Sequence, residues 1–244
     1  MELDIDLTAR QEARELARQA GAAQERLNKL DQGALDAIVA AMAAAFEPEC
    51  AALAKMAVEE TGFGNTQDKT EKNLFACKTV LSAIAPMKTK GILREIPGKR
   101  LWEIGVPMGV IAAIVPSTNP TSTVCYKALI AIKAGCAIVF SPHPKAAKCT
   151  RAAAELLARA AEAAGAPAGA VGCLTASQMA GTQELMGGTG GEAHSRHRRP
   201  RHGPLRLFLR QACHWGRRGQ RPGLYPHLGG CARSHCRHCT VQDL

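Results

Sequence analysis

Two short proline-bracketed stretches hold the residues best suited to chemistry in this 244-residue chain: "PSTNP" at residues 116–120 and "SPHP" at residues 141–144. Asn119 offers a neutral amide donor, the kind of group that stabilises a developing oxyanion when a rigid loop aims it. Asn-Pro is also a common turn dipeptide, so residue type alone leaves a purely structural role open. His143, between two prolines, reads as a ligand contact or as a polar loop residue. Cys125 falls in the first turns of an apolar helical stretch, where a helix dipole lowers a thiol pKa but apolar neighbours make a cysteine inert. Cys136 and Cys173 begin or lie in apolar runs and read as core.

The elements around these loops explain why they stand out. Residues 109–115 form an apolar run ended by Pro116, and "CAIVFSPHP" is a second such run ended by Pro142 and Pro144. Both read as buried strands. Between them "TSTVCYKALIAIKAG" reads as a helix, with a hydroxyl residue as its cap and Gly135 as its terminator. A further helix over residues 145–164 leads to a short strand at 171–174. Buried strand, helix, buried strand is the pattern of a parallel sheet with right-handed crossovers, and ligands of such sheets bind at the carboxyl ends of the strands. The two proline-bracketed loops occupy those ends.

The first hundred residues read as a helical layer. Residues 8–46 are rich in Ala, Leu, Glu and Arg, Pro48 interrupts, and further helices are expected at 50–60 and 68–84 with Gly62 and Gly64 as terminators. Residues 101–106 alternate like an edge strand. The fold class is therefore α/β: an N-terminal helical layer (1–100), a partial Rossmann-like parallel sheet (101–187) and a tail (188–244) expected to be irregular or disordered. Charge draws the last boundary, because residues 1–187 carry a net +1 whereas the last 57 residues hold 11 Arg, no Lys and two acids. Seven of the eight histidines lie in that tail. No apolar run approaches the ~20 residues that span a bilayer. The acidic start "MELDIDLTAR" does not resemble a secretory leader, so a cytoplasmic location without membrane partners is expected, with thiols reduced.

The block "EIGVPMGVIAAIVPSTNPTSTVCYKALIAIKAGCAIVFSPHPKAAKCT", with "VEETGFGNTQDKTEKN" before it and "AAGAPAGAVGCL" after it, resembles the CoA-acylating branch of the aldehyde dehydrogenase superfamily. "PSTNPTST" followed by "FSPHP" is specific to that branch. The resemblance implies oxidation of a short aldehyde to an acyl-CoA, with NAD or NADP as cofactor, CoA as co-substrate and a homo-oligomeric intact enzyme. It further implies that Asn119 donates its amide to the oxygen of the thiohemiacetal and of the thioester that follows. Pro116, Ser117, Thr118, Ser141, Pro142, His143 and Pro144 would line the adenosine half of the cofactor. Acetaldehyde, propionaldehyde and sulfoacetaldehyde all fit, and "MKTKGILREIPGKRLWEIGVPMG" leans towards the last. No metal site is implied.

From about Gly187 the resemblance stops, and no cysteine motif of the family's "NGTICASEQ" type follows. The tail can instead be read one base later. Arg210-Gln211-Ala212 written cgg caa gcc becomes ggc aag cc, Gly-Lys-Pro, and permitted codons carry the stretch on as "GKPAIGVGAGNGP". In the same frame, residues 194–203 decode to "ILATGGHGM" and residues 233–244 to "GHTADIVQSKTF". The tail is thus expected to be an out-of-frame translation of a CoA-acylating aldehyde dehydrogenase gene, leaving a truncated, poorly soluble and inactive chain without its nucleophilic cysteine. Two other readings remain: an Arg-rich nucleic-acid arm, and a zinc site built from Cys231, His235, Cys236, His238 and Cys239. Sequencing the gene from codon 180 past the stop separates them. A single inserted or deleted base that restores "ILATGG" and a downstream cysteine motif is the expected result, and a closed or meaningless second frame makes the tail genuine.

Overall fold

A computed structural model describes residues 4–96 and 101–187 and the backbone of 206–207. The helical stretch read over residues 8–46 is two helices, α1 (Ile5–Leu27) and α2 (Gln32–Phe46). Asp31 makes the break, because its carboxylate accepts the Ala34 N–H at 2.7 Å and so caps α2. On α1 the buried positions Ala9, Ala13, Ala17 and Ala20 recur at helical spacing, and their small side chains let α8 (Met179–Gly187) lie close against it. A Cβ on Gly181 of α8 would stand 3.0 Å from the Ala9 carbonyl, so a side chain there would push the two helices slightly apart.

Helix α3 (Cys50–Thr61) ends where expected, at Gly62, whose left-handed φ of +69° costs a side-chain-bearing residue strain. The helix expected at 68–84 is α4 (Thr66–Leu74) and α5 (Val80–Ile84) joined by a widened π turn at Phe75–Thr79. One correction concerns the end of the helical layer: β1 (Gly91–Ile96) is a strand, antiparallel to the expected edge strand β2 (Leu101–Gly105). Ile92, Trp102 and Ile104 of this ribbon are more than half exposed. With neither face packed, β1 carries no buried-side alternation from which to read it.

The parallel sheet has the order β5-β4-β3-β6, from β3 (Ile111–Val115), β4 (Ile138–Pro142), β5 (Val171–Cys173) and β6 (Arg206–Leu207). Helices α6 (Pro120–Lys133) and α7 (Ala147–Ala163) make the crossovers. Gly135, with φ +71°, turns the chain from α6 into β4 as expected. The expected hydroxyl cap of α6 is replaced by Asn119, which holds the N-cap position yet makes no side-chain capping bond. Apart from β6, the tail expected to be irregular, and with it the candidate zinc and nucleic-acid residues, lies outside the described residues.

One core runs through both layers. Leu35, Ile38, Met42 and Phe46 of α2 meet Leu129 and Ile132 of α6 and Leu157 of α7, all essentially without solvent exposure, over Ile138, Val139 and Phe140 of β4. Buried polar groups tie the layers in register. The Gln24 amide donates to the Gly135 carbonyl and accepts from Ala137 N–H, both at 2.7 Å, supplying strand-like partners at the entry to β4. The Lys90 ammonium donates to the carbonyls of Leu27, Asn28 and Leu30 at the end of α1, where the helix dipole favours a cation. Lys133, with only 3% of its side chain exposed, bonds Asp36 at 2.6 Å and the Ala85 carbonyl at 2.9 Å.

Gln24→Leu removes both partners of two buried backbone groups. Each orphaned group costs about 1–3 kcal/mol, so the variant is expected to lose about 2–6 kcal/mol, read as a lower urea midpoint at unchanged slope. An unchanged midpoint would show that the Gln24 bonds do not hold the two layers together.

Candidate functional site

Strand register decides where the two loops meet. β3 and β4 are parallel neighbours with Ile114 opposite Ser141 and Val115 opposite Pro142, so the chain leaves both strands at the same edge of the sheet. β6 lies on the other side of β3 and β5 on the other side of β4. The loop after β3 therefore sits where the strand order changes direction, the usual location of a ligand crevice in such sheets.

In the β3 loop, Pro116 and Thr118 are exposed and Ser117 and Asn119 partly so. The Asn119 carbonyl accepts Thr123 N–H at 3.2 Å, which starts α6, while its side-chain Oδ1 faces Lys72 Nζ at 3.5 Å. The Thr118 carbonyl accepts from Lys69 Nζ at 2.6 Å. Lys69 is only 4% exposed, and burial together with the nearby Lys72 charge lowers its pKa. Lys127 reaches back from α6 to the Ile114 carbonyl at 2.8 Å.

In the β4 loop, Ser141 and Pro142 are buried and His143 and Pro144 exposed. Ser141 Oγ shares a 2.8 Å hydrogen bond with Thr182 Oγ1 of α8. Of the two readings of His143, the structure supplies a local one: Nδ1 accepts the Lys145 N–H at 3.1 Å and caps the short 3-10 turn Pro144–Ala146. In the neutral ring this leaves the proton on Nε2. At the start of α7, Glu60 of α3 accepts the N–H groups of Lys148 and Cys149, each at 2.8 Å, so a carboxylate already occupies that positive helix end.

The cysteines resolve one way. All six in the described residues are free, five buried and Cys173 partly so. Burial pushes the thiols of Cys50, Cys149 and Cys173 up to about 12 and raises those of Cys77, Cys125 and Cys136 as well. Cys125 is thus the inert alternative, and no described thiol is a thiolate near neutral pH. Among the described residues no group of three or more His, Cys, Asp or Glu could hold a metal ion. No single helix there is long and apolar enough to cross a membrane.

Residues 3–190 match the profile of the aldehyde dehydrogenase family. The chain belongs to that family. Among solved structures it is similar to an acetylating aldehyde dehydrogenase from Geobacillus thermoglucosidasius, with 56% identity and a TM-score of 0.75 over 76% of this chain and 41% of that one. An engineered glycolyl-CoA reductase with bound NADP+ matches at 27% identity and a TM-score of 0.63, over 71% of this chain and 39% of that one. The bifunctional aldehyde-alcohol dehydrogenase of Escherichia coli K12 is 41% identical over 164 residues, 67% of this chain and 18% of that protein. The chain thus spans well under half the length of these relatives.

This member of the aldehyde dehydrogenase family carries its strand-end loops on partners that residue types did not single out. Lys69, Lys72 and Asn73 lie in the "DKTEKN" part of the resembling stretch, spaced to share one helix face, and that spacing was the available signal. Glu60 and Thr182 offered none, because each acts across a long sequence separation.

The Glu60 cap predicts a pH dependence. Partial burial raises its carboxyl pKa, but the Cys149 and Lys148 hydrogen bonds and the Lys148 charge outweigh this and set it below the ordinary carboxylate value. Its contribution to stability is therefore present above the ordinary carboxylate range and lost as pH falls through the depressed folded-state value. Glu60→Gln is expected to be less stable than the parent near neutral pH, with the gap in urea midpoint closing in acid. A gap that does not change with pH would show that the cap does not depend on the carboxylate charge.

Proposed function

We propose that residues 1–187 are the cofactor side of a CoA-acylating aldehyde dehydrogenase, which converts a short aldehyde, CoA and NAD(P)+ to acyl-CoA and NAD(P)H. The observation that carries this reading is the side-by-side placement of the two proline-bracketed loops at the carboxyl edge of a parallel sheet. The branch-specific "PSTNPTST" and "FSPHP" form those loops. The similarity to an acetylating enzyme and to a CoA-ester reductase that binds NADP+ supports the same chemistry.

The site fits an anionic dinucleotide. Pro116, Thr118, His143 and Pro144 are open to solvent, Asn119 leaves the N-terminus of α6 without a side-chain cap, and the exposed Lys72, Lys145 and Lys148 lie on or beside these loops. In this reading Pro116, Ser117, Thr118, Ser141, Pro142, His143 and Pro144 line the adenosine half. When bound, the nicotinamide supplies the hydride acceptor. Asn119 is the oxyanion donor: its amide is not spent on helix capping, and an amide N–H aimed at the substrate oxygen stabilises charge as a thiolate adds to the aldehyde and again as CoA takes the acyl group. The thiolate belongs outside residues 1–187, since every described cysteine is held protonated. The proposed arrangement is a helical part (1–100), a partial NAD(P)-binding part (101–187) and an out-of-frame tail (188–244).

Calorimetric titration of the purified chain with NAD+, NADP+ and CoA tests this reading. Saturable binding of a nicotinamide nucleotide is expected. His143→Glu weakens it roughly fivefold, about 1 kcal/mol, by placing a carboxylate beside the adenosine phosphates, while Asn119→Ala leaves it within about twofold. Aldehyde and CoA added together produce no NAD(P)H with this chain. Absence of nucleotide binding at millimolar concentration overturns the cofactor assignment, and measurable turnover overturns the proposed inactivity.

A further inference from the structure

Helix α4 presents three polar residues, Lys69, Lys72 and Asn73, at spacings of three and four, so they share one face. All three engage the four-residue stretch 118–121. Lys69 Nζ holds the Thr118 carbonyl at 2.6 Å. The Asn73 amide, 1% exposed, accepts from Thr121 Oγ1 at 2.9 Å and donates to the Cys50 carbonyl at 2.9 Å, anchoring the start of α6 to α3. Between these two buried anchors, Lys72 Nζ stands 3.5 Å from Asn119 Oδ1. Thr118 and Thr121 are pinned on either side, so the backbone that carries Asn119 has little freedom. The degree of freedom left is which end of its amide faces the site.

We propose that Lys72 is the positioning residue that sets it. An ammonium has three donors and no acceptor, so the amide atom turned towards it must be oxygen. The Nδ2 donors of Asn119 are then directed away from α4, as an oxyanion donor requires. The positive charge beside Oδ1 also polarises the amide and strengthens its N–H groups as donors. Because Asn119 does not use its side chain to cap α6, nothing else in the described structure fixes this orientation. The sequence "DKTEKN" thus serves the loop twice: Lys69 and Asn73 fix its backbone and Lys72 selects the amide face. This inference rests on Asn119 being the oxyanion donor, but its test does not require turnover.

The test is the side-chain amide region of a 15N–1H correlation spectrum of the full chain, with the Asn119 pair assigned by its loss in Asn119→Ala. In Lys72→Met, which keeps the aliphatic stem, the Asn119 pair is expected to shift more than any other side-chain amide, and Lys72→Arg is expected to restore most of the shift. The backbone amides of Thr118, Asn119 and Thr121 should stay in place in both variants, because Lys69 and Asn73 still hold this stretch. An unmoved Asn119 pair in Lys72→Met overturns the proposal. So does a joint shift of the Thr118, Asn119 and Thr121 backbone amides that arginine does not restore, since that is the mark of a merely structural contact. Nucleotide titration of the same samples distinguishes the two failures: lost binding counts against the enzyme reading, and a silent Asn119 pair with intact binding counts only against Lys72.

Discussion

Backbone hydrogen-bonding groups at the carboxyl edge of a parallel sheet lose their ladder partners where the strands end, and here charged side chains of the N-terminal helices replace them. Lys69 of α4 takes the Thr118 carbonyl after β3, and Glu60 of α3 takes two N–H groups at the start of α7 after β4. Glu12 of α1 takes the N–H groups of Thr175 and Ala176 after β5, at 2.6 and 3.0 Å. Each bond involves a full charge and is stronger than its neutral counterpart. A site on loops gains its precision from such outside supports. The helical layer is therefore the scaffold of the sheet's carboxyl edge as well as its cover.

That dependence extends into the interior. The core is continuous from α2 through α6 and α7 to the sheet, and the polar ties of Gln24, Lys90 and Lys133 each join groups more than forty residues apart in sequence. Buried polar bonds of this kind add modest net stability when complete and are costly when broken, so they specify one registry of layer on layer. A shift of α1 along β4 would strand the Gln24, Gly135 and Ala137 groups together.

The cysteines show how environment overrides residue type. A thiol near a helix start is activated only if the site is polar and open enough to hold the thiolate. Cys125 meets the first condition by position and fails the second, being fully buried. Cys149, on the first turn of α7, is likewise raised, first by burial and then by the hydrogen bond and charge of the Glu60 carboxylate that caps the same helix. None of the six described cysteines therefore has the environment of a nucleophile.

The alternation of apolar strands with helices, the glycine terminators at Gly62 and Gly135 and the prolines closing β3 and β4 are all written in local residue types. Period, turn chemistry and the missing proline N–H act within a few positions, so the α/β class and the two strand-end loops were legible in the sequence. The family resemblance was legible in the same stretches. The β1–β2 ribbon was only half legible, because an element without a buried face leaves no alternation to find. Asp31's break between α1 and α2 was hidden inside a run of helix formers. Tertiary structure alone decided the rest: that Ile114 stands opposite Ser141 and so brings the loops together, that Glu60 fills the end of α7, that Asn119 leaves α6 uncapped by its side chain, and that Lys72 faces its amide oxygen. These contacts join residues whose sequence separations run from 27 to 88 positions, and no local rule of propensity or periodicity carries information over such distances.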